Sequence, residues 1–527
     1  MMLINSSARN TLKIFQPFFP IGIPVGVASL MAVAMEKGIN AEFVDEQIED
    51  EKTVMKRIEN YVNNAKPPYI FCFSVLTAAF ENSLKLSKKL KEKYPDSIVL
   101  FGGIHPSGSP DEVLSYDQVD LVLRGEGDNI LQELYYRLKN GKDFTDLEGL
   151  SYKKDGKIIH NPGLSFIRDM DGLPRFPYHL FADNKKYHLG FVVSSRGCPH
   201  KCTFCSNRII TGMVFRYRSA ENICNDLELL HDKYNQKDVF FLDDEFLTNK
   251  ERIYKLVDEI KRRGLHEKMS FGFQARADSA DESILKALYS AGFRSAFFGI
   301  ETASNRIMKL IKKHETVEQI TAAIKTAKSI GFNVSGTFIY AFPTETHQDR
   351  MDCIKLAKEM DLDQVRFNNA TPYPGTELYQ TAKSENRLNI QGLYENYNAV
   401  LTFSENPFKK IPFTYVPEGS TEKEIRNDLL FSAFSILFTY DKIKKILIRP
   451  DLGPRWFKVD AKKIPALMLL FFYLTVKYSE LFLSVLLQRN TSISRREFLS
   501  IFKDFFKNGD VNHLEKQKIL LKDTLPS

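Results

Sequence analysis

The sequence predicts an α/β protein built in series. A doubly wound, Rossmann-like domain spans 1–145, a hairpin and linker 146–190, a partial (β/α)6 barrel 191–390 and a helical region 391–527. Three observations predict this order. Short apolar runs such as YIFCFSV (69–75) and SIVLFGG (97–103) alternate with stretches of helical periodicity, the pattern of parallel strands buried on both faces. After a proline-rich break at DMDGLPRFPYHLF, the alternation resumes with unusual regularity through six further strand signals. Past residue 390 the strand signals stop and the chain turns helical and more basic.

Size and composition agree. At 527 residues the chain exceeds what one core organises. Hydrophobic residues at 43% and charged residues at 26% match an ordinary soluble protein, and the net charge of +7 has meaning only where it is concentrated. Six cysteines are too few for a disulfide framework in so long a chain. The start MMLINSSARN lacks a basic leader running into an apolar stretch, so a reducing cytoplasm is expected. In that setting a tight cysteine cluster favours metal.

In the first domain, MLIN is a strand and GVASLMAVAMEKGI (26–39) a helix stopping at Gly38, with AEFVDE a strand after it. Thr77 is placed to cap the helix after YIFCFSV, which ends near Tyr94–Pro95. Sheets of this kind bind ligands at the carboxyl ends of their strands. GLSYKKDGKIIHNPG predicts a hairpin turning at Asp155–Gly156. The second series comprises FVVSS, DVFFLDD, MSFGFQ, SAFFGI, NVSGTFIY and QVRFNNA. Capping-box spacings at Thr248–Glu251, Ser279–Glu282 and Thr316–Gln319 open the helices between them, and Gly264, Gly292 and Gly331 close them. A barrel of this type does its chemistry at the strands' carboxyl ends.

There lies RGCPHKCTFCS (196–206), directly after FVVSS, with Cys198, Cys202 and Cys205 spaced C-x3-C-x2-C. Clustered thiolates bind zinc or iron–sulfur clusters. Structural zinc takes four ligands, typically from paired C-x2-C units, and no fourth cysteine is near; His200 would have to serve. Cys72, Cys224 and Cys353 sit in apolar or helical contexts and read as core thiols. With Phe204 before the last cysteine, the loop resembles the C-x3-C-x-aromatic-C signature of the radical S-adenosylmethionine superfamily. That resemblance implies a [4Fe-4S] cluster whose fourth iron chelates S-adenosylmethionine and cleaves it to a 5′-deoxyadenosyl radical. It also assigns cofactor-binding roles. Phe204 lies in the signature itself, FLDDEF (241–246) offers Asp243 and Asp244 to the cofactor's amino group, and Arg276 of QARAD offers a partner for its carboxylate. GIETAS (299–304) resembles the fourth-strand pattern and adds Glu301 and Ser304. On residue type alone, strand-end acids and arginines equally form surface ion pairs. YAFPTET departs from the pattern: Ala341 and Thr344 replace two glycines, while Pro343 and Glu345 remain.

The first domain resembles the cobalamin-binding module that precedes such barrels. The residues that carry the likeness are PIGIPVGVASLMAVAMEKG, the S-x-L turn Ser74-Val75-Leu76, the Gly102-Gly103 turn, and Gly125 and Glu126 of RGEGD. The resemblance implies that Ser74, Leu76, Gly102, Gly103, Gly125 and Glu126 line the cobalamin site. The D-x-H-x-x-G loop that elsewhere supplies a cobalt-ligating histidine is absent; His105 is the candidate ligand in its place, but reads rather as a loop histidine or one that supports the site without touching cobalt. Methylthiotransferases of similar architecture carry a second cysteine triad in this domain; here it holds only Cys72.

In the tail, residues 442–463 carry eight Lys or Arg against two Asp, and IPALMLLFFYLTVKYSELFLSVLL (464–487) follows. Its uncharged run before Lys477 falls short of the roughly 20 residues of a spanning helix. Lys477 and Glu480 are spaced to pair on one face. The expectation is a helix packed over the barrel, or one making peripheral membrane contact through 442–487 with its basic leader near anionic headgroups. Taken together, the resemblances imply radical methylation of an unactivated carbon on a bulky, apolar or lipid-like small molecule. An external electron donor of flavodoxin or ferredoxin type would serve it, and no nucleic-acid partner is expected. The alternative is cyclisation or rearrangement without methyl transfer, as in the anaerobic porphyrin-ester cyclase.

Overall fold

The computed structural model describes residues 1–8, 21–164, 166–438 and 464–507. Its N-terminal part contains β1 (Met2–Asn5), a short β2 (Ile21–Gly22), β3 (Glu42–Asp45), β4 (Ile70–Ser74), β5 (Ile98–Gly102), β6 (Leu121–Leu123), β7 (Leu150–Lys154) and β8 (Lys157–His160). Seven of these form one sheet in the order β3-β1-β4-β5-β6-β7-β8. The pairs from β3 to β6 are parallel, and β7 and β8 are antiparallel additions. Alternate residues of one apolar run enter two cores: Phe71 and Phe73 join Leu84 and Leu90 on one side, while Ile70 and Cys72 join Met31 and Leu134 on the other. That is why the strands read as continuous apolar runs.

Two local expectations change. The hairpin forms with Asp155 and Gly156 both at positive φ, as a two-residue turn requires, but β7 pairs with β6 and so extends the first sheet. Thr77 does not cap a helix. It opens a 3-10 turn at Thr77–Ala79, its buried Oγ1 has no hydrogen-bond partner, and the helix Phe80–Lys93 starts after it.

A two-residue β9 (Tyr187–His188) pairs with β2. The second sheet then runs through β10 (Phe191–Val192), with β11 (Ser195–Arg196) and β12 (Arg216–Tyr217) set aside as an antiparallel pair. It continues through β13 (Asp238–Phe241), β14 (Ser270–Ala275), β15 (Phe293–Glu301), β16 (Asn333–Tyr340) and β17 (Gln364–Asn369). The order β10-β13-β14-β15-β16-β17, parallel throughout, is the expected partial barrel. Phe241, Phe246, Phe271 and Phe293 pack edge and face in its core.

Thr316 and Gln319 make the reciprocal capping box expected of them. The other two boxes give way to stronger caps one or two residues on: Asn249 accepts from Arg252 N and Asp281 from Ile284 N. Thr248 is instead bonded to Glu245, and Ser279 lies in a 3-10 turn.

Helix Glu422–Leu437 packs on helix His347–Glu359 and β17. Arg350 reaches across to Asp428 at 2.6 Å and Tyr340 shares a hydrogen bond with Ser432 at 2.8 Å, all four side chains buried. Helix Ile464–Leu487 follows, but Lys477 and Glu480 do not pair. Lys477 is buried and donates to the carbonyls of Thr402 and Glu405, and Glu480 accepts from Lys410. The basic run 442–463 lies outside the described residues.

Candidate functional site: the cysteine loop and the facing ledge

The three cysteines occupy a loop fastened at both ends. Thr203 donates its N–H to Ile311 O at 3.0 Å and accepts Leu378 N at 2.9 Å, and the Phe204 ring packs at a tilt against Phe342 with centroids 5.4 Å apart. Phe204 thus ties the loop to the exit of β16. Gly197, at φ 87°, could not carry a side chain, since a Cβ would lie 2.1 Å from Val214 O. Burial pushes the Cys198 thiol up to about 12 and raises Cys202 and Cys205, so each keeps its proton until a metal replaces it. Backbone N–H groups of His200 and Asn207 point at Cys198 and Cys205. Among the described residues no three His, Cys, Asp or Glu side chains converge to chelate a single ion. A cubane asks for something else, one iron per thiolate, and three half-buried thiols along one anchored loop with N–H donors to sulfur suit it.

Around the loop the barrel strands end in charge. Asp243, expected at the cofactor, is instead spent internally. It is fully buried and accepts Ser194 N, Ser195 N and both serine hydroxyls, with Arg252 at 3.1 Å. Those bonds end β10 and turn the chain into the cysteine loop, which is why FVVSS divides into two strands. Asp244 is the available one. It accepts Gly197 N at 3.0 Å and stays open to solvent, while the protein packed about it raises its carboxyl by burial. Glu245 was not singled out by sequence, yet it is buried beside them; burial pushes its carboxyl up to about 7 although it accepts Arg276 N, Leu247 N and Thr248 Oγ1.

Arg276 is buried with its fork on Asp278 and Glu315 3.6 Å away, leaving Nη1 as its one unpartnered nitrogen. Glu301 ends β15 at φ 65°, a strained conformation for a side-chain-bearing residue. Its Oε1 accepts Lys313 Nζ at 2.9 Å while Oε2, buried, has no partner. Lys313 and Glu315 were also missed; IKKHET follows no pattern, and only the fold brings it back to the strand ends. Ser304 opens helix Asn305–Leu310 without bonding its backbone. The unpartnered buried Arg276 Nη1 and Glu301 Oε2, with Asp244 open, leave one cationic and two anionic points for a ligand bearing both charges.

In the first domain the S-x-L and Gly-Gly turns lie side by side at the ends of β4 and β5. Val75 N donates to Gly102 O at 2.9 Å, and a Cβ on Gly103, at φ 97°, would press Val75 backbone at 3.0 Å. Beside Ser74, Leu76 is 59% exposed, a large apolar side chain left open on this ledge. Among the described residues the buried hydroxyls of Ser6, just past β1, and of Thr77 have no partner. Bare backbone, one apolar surface and unpaired hydroxyls fit a large ring system with a polar tail. His105 is fully buried between Phe80 and Tyr394, and burial pushes its imidazole down to about 3.

Ledge and loop are fastened together. Arg196, two residues before Cys198, grips Asp128 at 2.8 and 3.2 Å and Ser29 at 2.9 Å. Gly125 donates to Ser107 Oγ at 3.2 Å, holding RGEGD against the segment after the Gly-Gly turn. Glu126, expected at the cobalamin site, is used at the domain joint, accepting Arg216 Nη1 at 2.7 Å and Ile167 N at 2.8 Å. Gly108 meets Pro374 so closely that a Cβ would lie 2.4 Å from its carbonyl oxygen.

Comparison with known proteins agrees with this geometry. The Radical SAM superfamily model matches residues 192–357 and the B12 binding domain model residues 16–135. An uncharacterized methyltransferase of Pyrococcus horikoshii, PH0819, is 34% identical over 374 residues, 70% of this chain and 80% of the relative. The anaerobic magnesium-protoporphyrin IX monomethyl ester cyclase of Rubrivivax gelatinosus is 24% identical over 62% of this chain and 60% of its own length. The cobalamin-dependent S-adenosylmethionine radical enzyme OxsB, solved with aqua-cobalamin and S-adenosylmethionine, superposes with a TM-score of 0.64 at 18% identity. That match covers 100% of this chain and 81% of OxsB. The chain belongs to the radical S-adenosylmethionine superfamily, in the branch whose barrel follows a B12-binding domain.

Proposed function

We propose that this enzyme methylates an unactivated carbon of a bulky or apolar small molecule, using a [4Fe-4S] cluster, S-adenosylmethionine and cobalamin. The observation that carries the reading is the joint between its two sites. Arg196 leads straight into the cysteine loop and is clamped by Asp128 and Ser29 of the first domain. A radical made at one site and a methyl group held at the other are useful together only if the two stay in fixed register. When bound, the cofactors supply the electron, the hydrogen-abstracting radical and the methyl group.

The protein's part is to hold and to exclude. Cys198, Cys202 and Cys205 would hold the cluster. Asp244, Arg276 through its spare Nη1, and Glu301 through its spare Oε2 would hold the charged ends and hydroxyls of S-adenosylmethionine. The ledge of Ser74, Leu76, Gly102 and Gly103 would seat cobalamin. Because Arg276 and Glu301 are buried and held by Asp278 and Lys313 before any ligand arrives, little reorganisation is needed on binding. The relative named as a methyltransferase, matched over most of its length, supports methyl transfer. An electron donor of flavodoxin or ferredoxin type and a reducing cytoplasm complete the reading.

The test is anaerobic reconstitution with iron, sulfide, cobalamin and a reductant, followed by analysis of nucleoside products. Methylation predicts both S-adenosylhomocysteine and 5′-deoxyadenosine, and Cys202→Ala should abolish the latter. Deoxyadenosine without the homocysteine product would overturn methyl transfer in favour of a cyclase-like rearrangement.

A further inference from the structure

Helix Ile464–Leu487 is held to the body along one narrow stripe, where Leu470, Lys477, Leu481, Ser484 and Val485 are buried. Its opposite face carries Met468, Phe471, Phe472, Phe482, Leu483 and Leu486, each between 47% and 68% exposed. Thr475 and Ser479 are the polar residues among them. Phe408, 68% exposed on a neighbouring loop, lies 6.1 Å from Phe472 between ring centroids and widens the patch. Large apolar side chains exposed together on one face mark an interaction surface, unlike single exposed hydrophobics. The helix is about 36 Å long at 1.5 Å per residue, and among the described residues it alone has the length and composition to cross a membrane. It is not free to do so: Lys477 is tied to two body carbonyls and Glu480 to Lys410.

We infer that this face seats the protein in the plane of an anionic lipid surface, with the helix lying along the boundary between headgroups and acyl chains. Charge decides for lipid over a second copy of the chain. The 22 residues entering the helix, 442–463, hold eight Lys or Arg against two Asp, and they include the chain's single tryptophan, Trp456. Lys409 beside Phe408, and Arg496 beyond the helix end, are exposed. Basic charge that adjoins the helix in sequence, with exposed Lys409 and Arg496 near its face, disfavours a second copy across a twofold interface and attracts acidic headgroups. Lys477 is turned inward and Glu480 is neutralised by Lys410 at the side of the helix, so no unpaired ion stands among the residues of the apolar face. The inference does not depend on the methyltransferase reading.

The experiment uses the purified full-length protein with vesicles of phosphatidylcholine alone and of phosphatidylcholine with phosphatidylglycerol. Co-sedimentation with the acidic vesicles is expected, weakened by salt and accompanied by a blue shift of Trp456 emission. The double variant Phe471→Glu, Phe472→Glu should lose binding by roughly tenfold or more while its melting temperature and reconstituted iron content match the parent. Absence of binding to acidic vesicles, or equal binding to neutral ones, overturns the inference. So does a parent that is dimeric in solution beside a monomeric variant with no vesicle association, since a second copy would then be what covers this face.

Discussion

The carboxyl ends of the two sheets meet across the same joint and are finished in opposite ways. At β4 and β5 the chain turns on bare backbone: Gly102 and Gly103 pack against Val75, and the open side chain is Leu76. At β13 to β15 it turns on charge: Asp243, Asp244, Glu245, Arg276 and Glu301, with Lys313 and Glu315 folded back among them. A ledge of backbone recognises by shape and admits a large neutral tail closely. A rim of buried charges must satisfy itself internally, because an unpaired buried ion is costly. The one region is vulnerable to added atoms, the other to removed ones.

Substitutions sharpen that contrast, and the largest effect belongs to the rim. Asp243→Ala leaves Arg252 as an uncompensated buried cation and orphans the donors of Ser194 and Ser195. A loss of about 3–5 kcal/mol is expected by chemical denaturation. Asp244→Asn should change stability by less than about 1 kcal/mol and show instead in weaker S-adenosylmethionine binding by equilibrium dialysis. Equal destabilisation by both would mean the rim is one structural network with no member left for a ligand. On the ledge, Gly103→Ala forces a Cβ onto Val75 backbone at positive φ, costing about 2 kcal/mol. Cobalamin retained on gel filtration should fall while iron per chain stays at the parent value.

How much of this was legible in the sequence follows the same division. The strands were readable because burial on both faces demands apolar runs, and β16 spans Asn333–Tyr340 as its apolar pattern indicates. The cysteine loop was readable because three thiols in one loop have few uses. Roles within the rim were not. Asp243 and Asp244 are adjacent and chemically identical, and only the fold turns one inward onto Ser194 and leaves the other at Gly197. Lys313 sits 12 residues beyond Glu301, with nothing in IKKHET to mark it. Glu126 was assigned to the ledge by its motif, whereas its partners, Arg216 and Ile167, are 90 and 41 residues away in sequence. The joint between domains is a long-range property, and local pattern does not carry it.

His105 extends the contrast to pH. It lies under the ledge with aromatic neighbours and no ion to pair with, and burial alone depresses its imidazole to about 3. The folded state holds it neutral while the unfolded chain takes up a proton near its ordinary value. Its contribution is therefore intact above about pH 6.5 and lost as pH falls from there towards the folded value, by roughly 2 kcal/mol at pH 5. His105→Phe should flatten that stretch of the stability curve measured by denaturant titration. An unchanged slope would place the acid-sensitive group on the charged rim instead.

The smallest effect is at the exit of β16, where the barrel should have glycine and does not. Ala341 and Thr344 nevertheless take φ of 71° and 63°, the left-handed region that glycine enters freely. The backbone shape has been kept and the residue that suits it lost. Restoring glycine relieves about 1 kcal/mol or more of strain at either position, but the two sites differ in what is given up. Ala341 is fully buried, so Ala341→Gly also removes a buried methyl and should come out within about 0.5 kcal/mol of neutral. Thr344 is exposed and β-branched, and gives up a surface hydrogen bond from Arg306. Thr344→Gly should therefore gain about 0.5–1 kcal/mol in chemical denaturation. Should it destabilise instead, the Arg306 contact is what holds this loop, and the exit of β16 belongs with the charged rim and not with the ledge's kind of backbone-shaped turn.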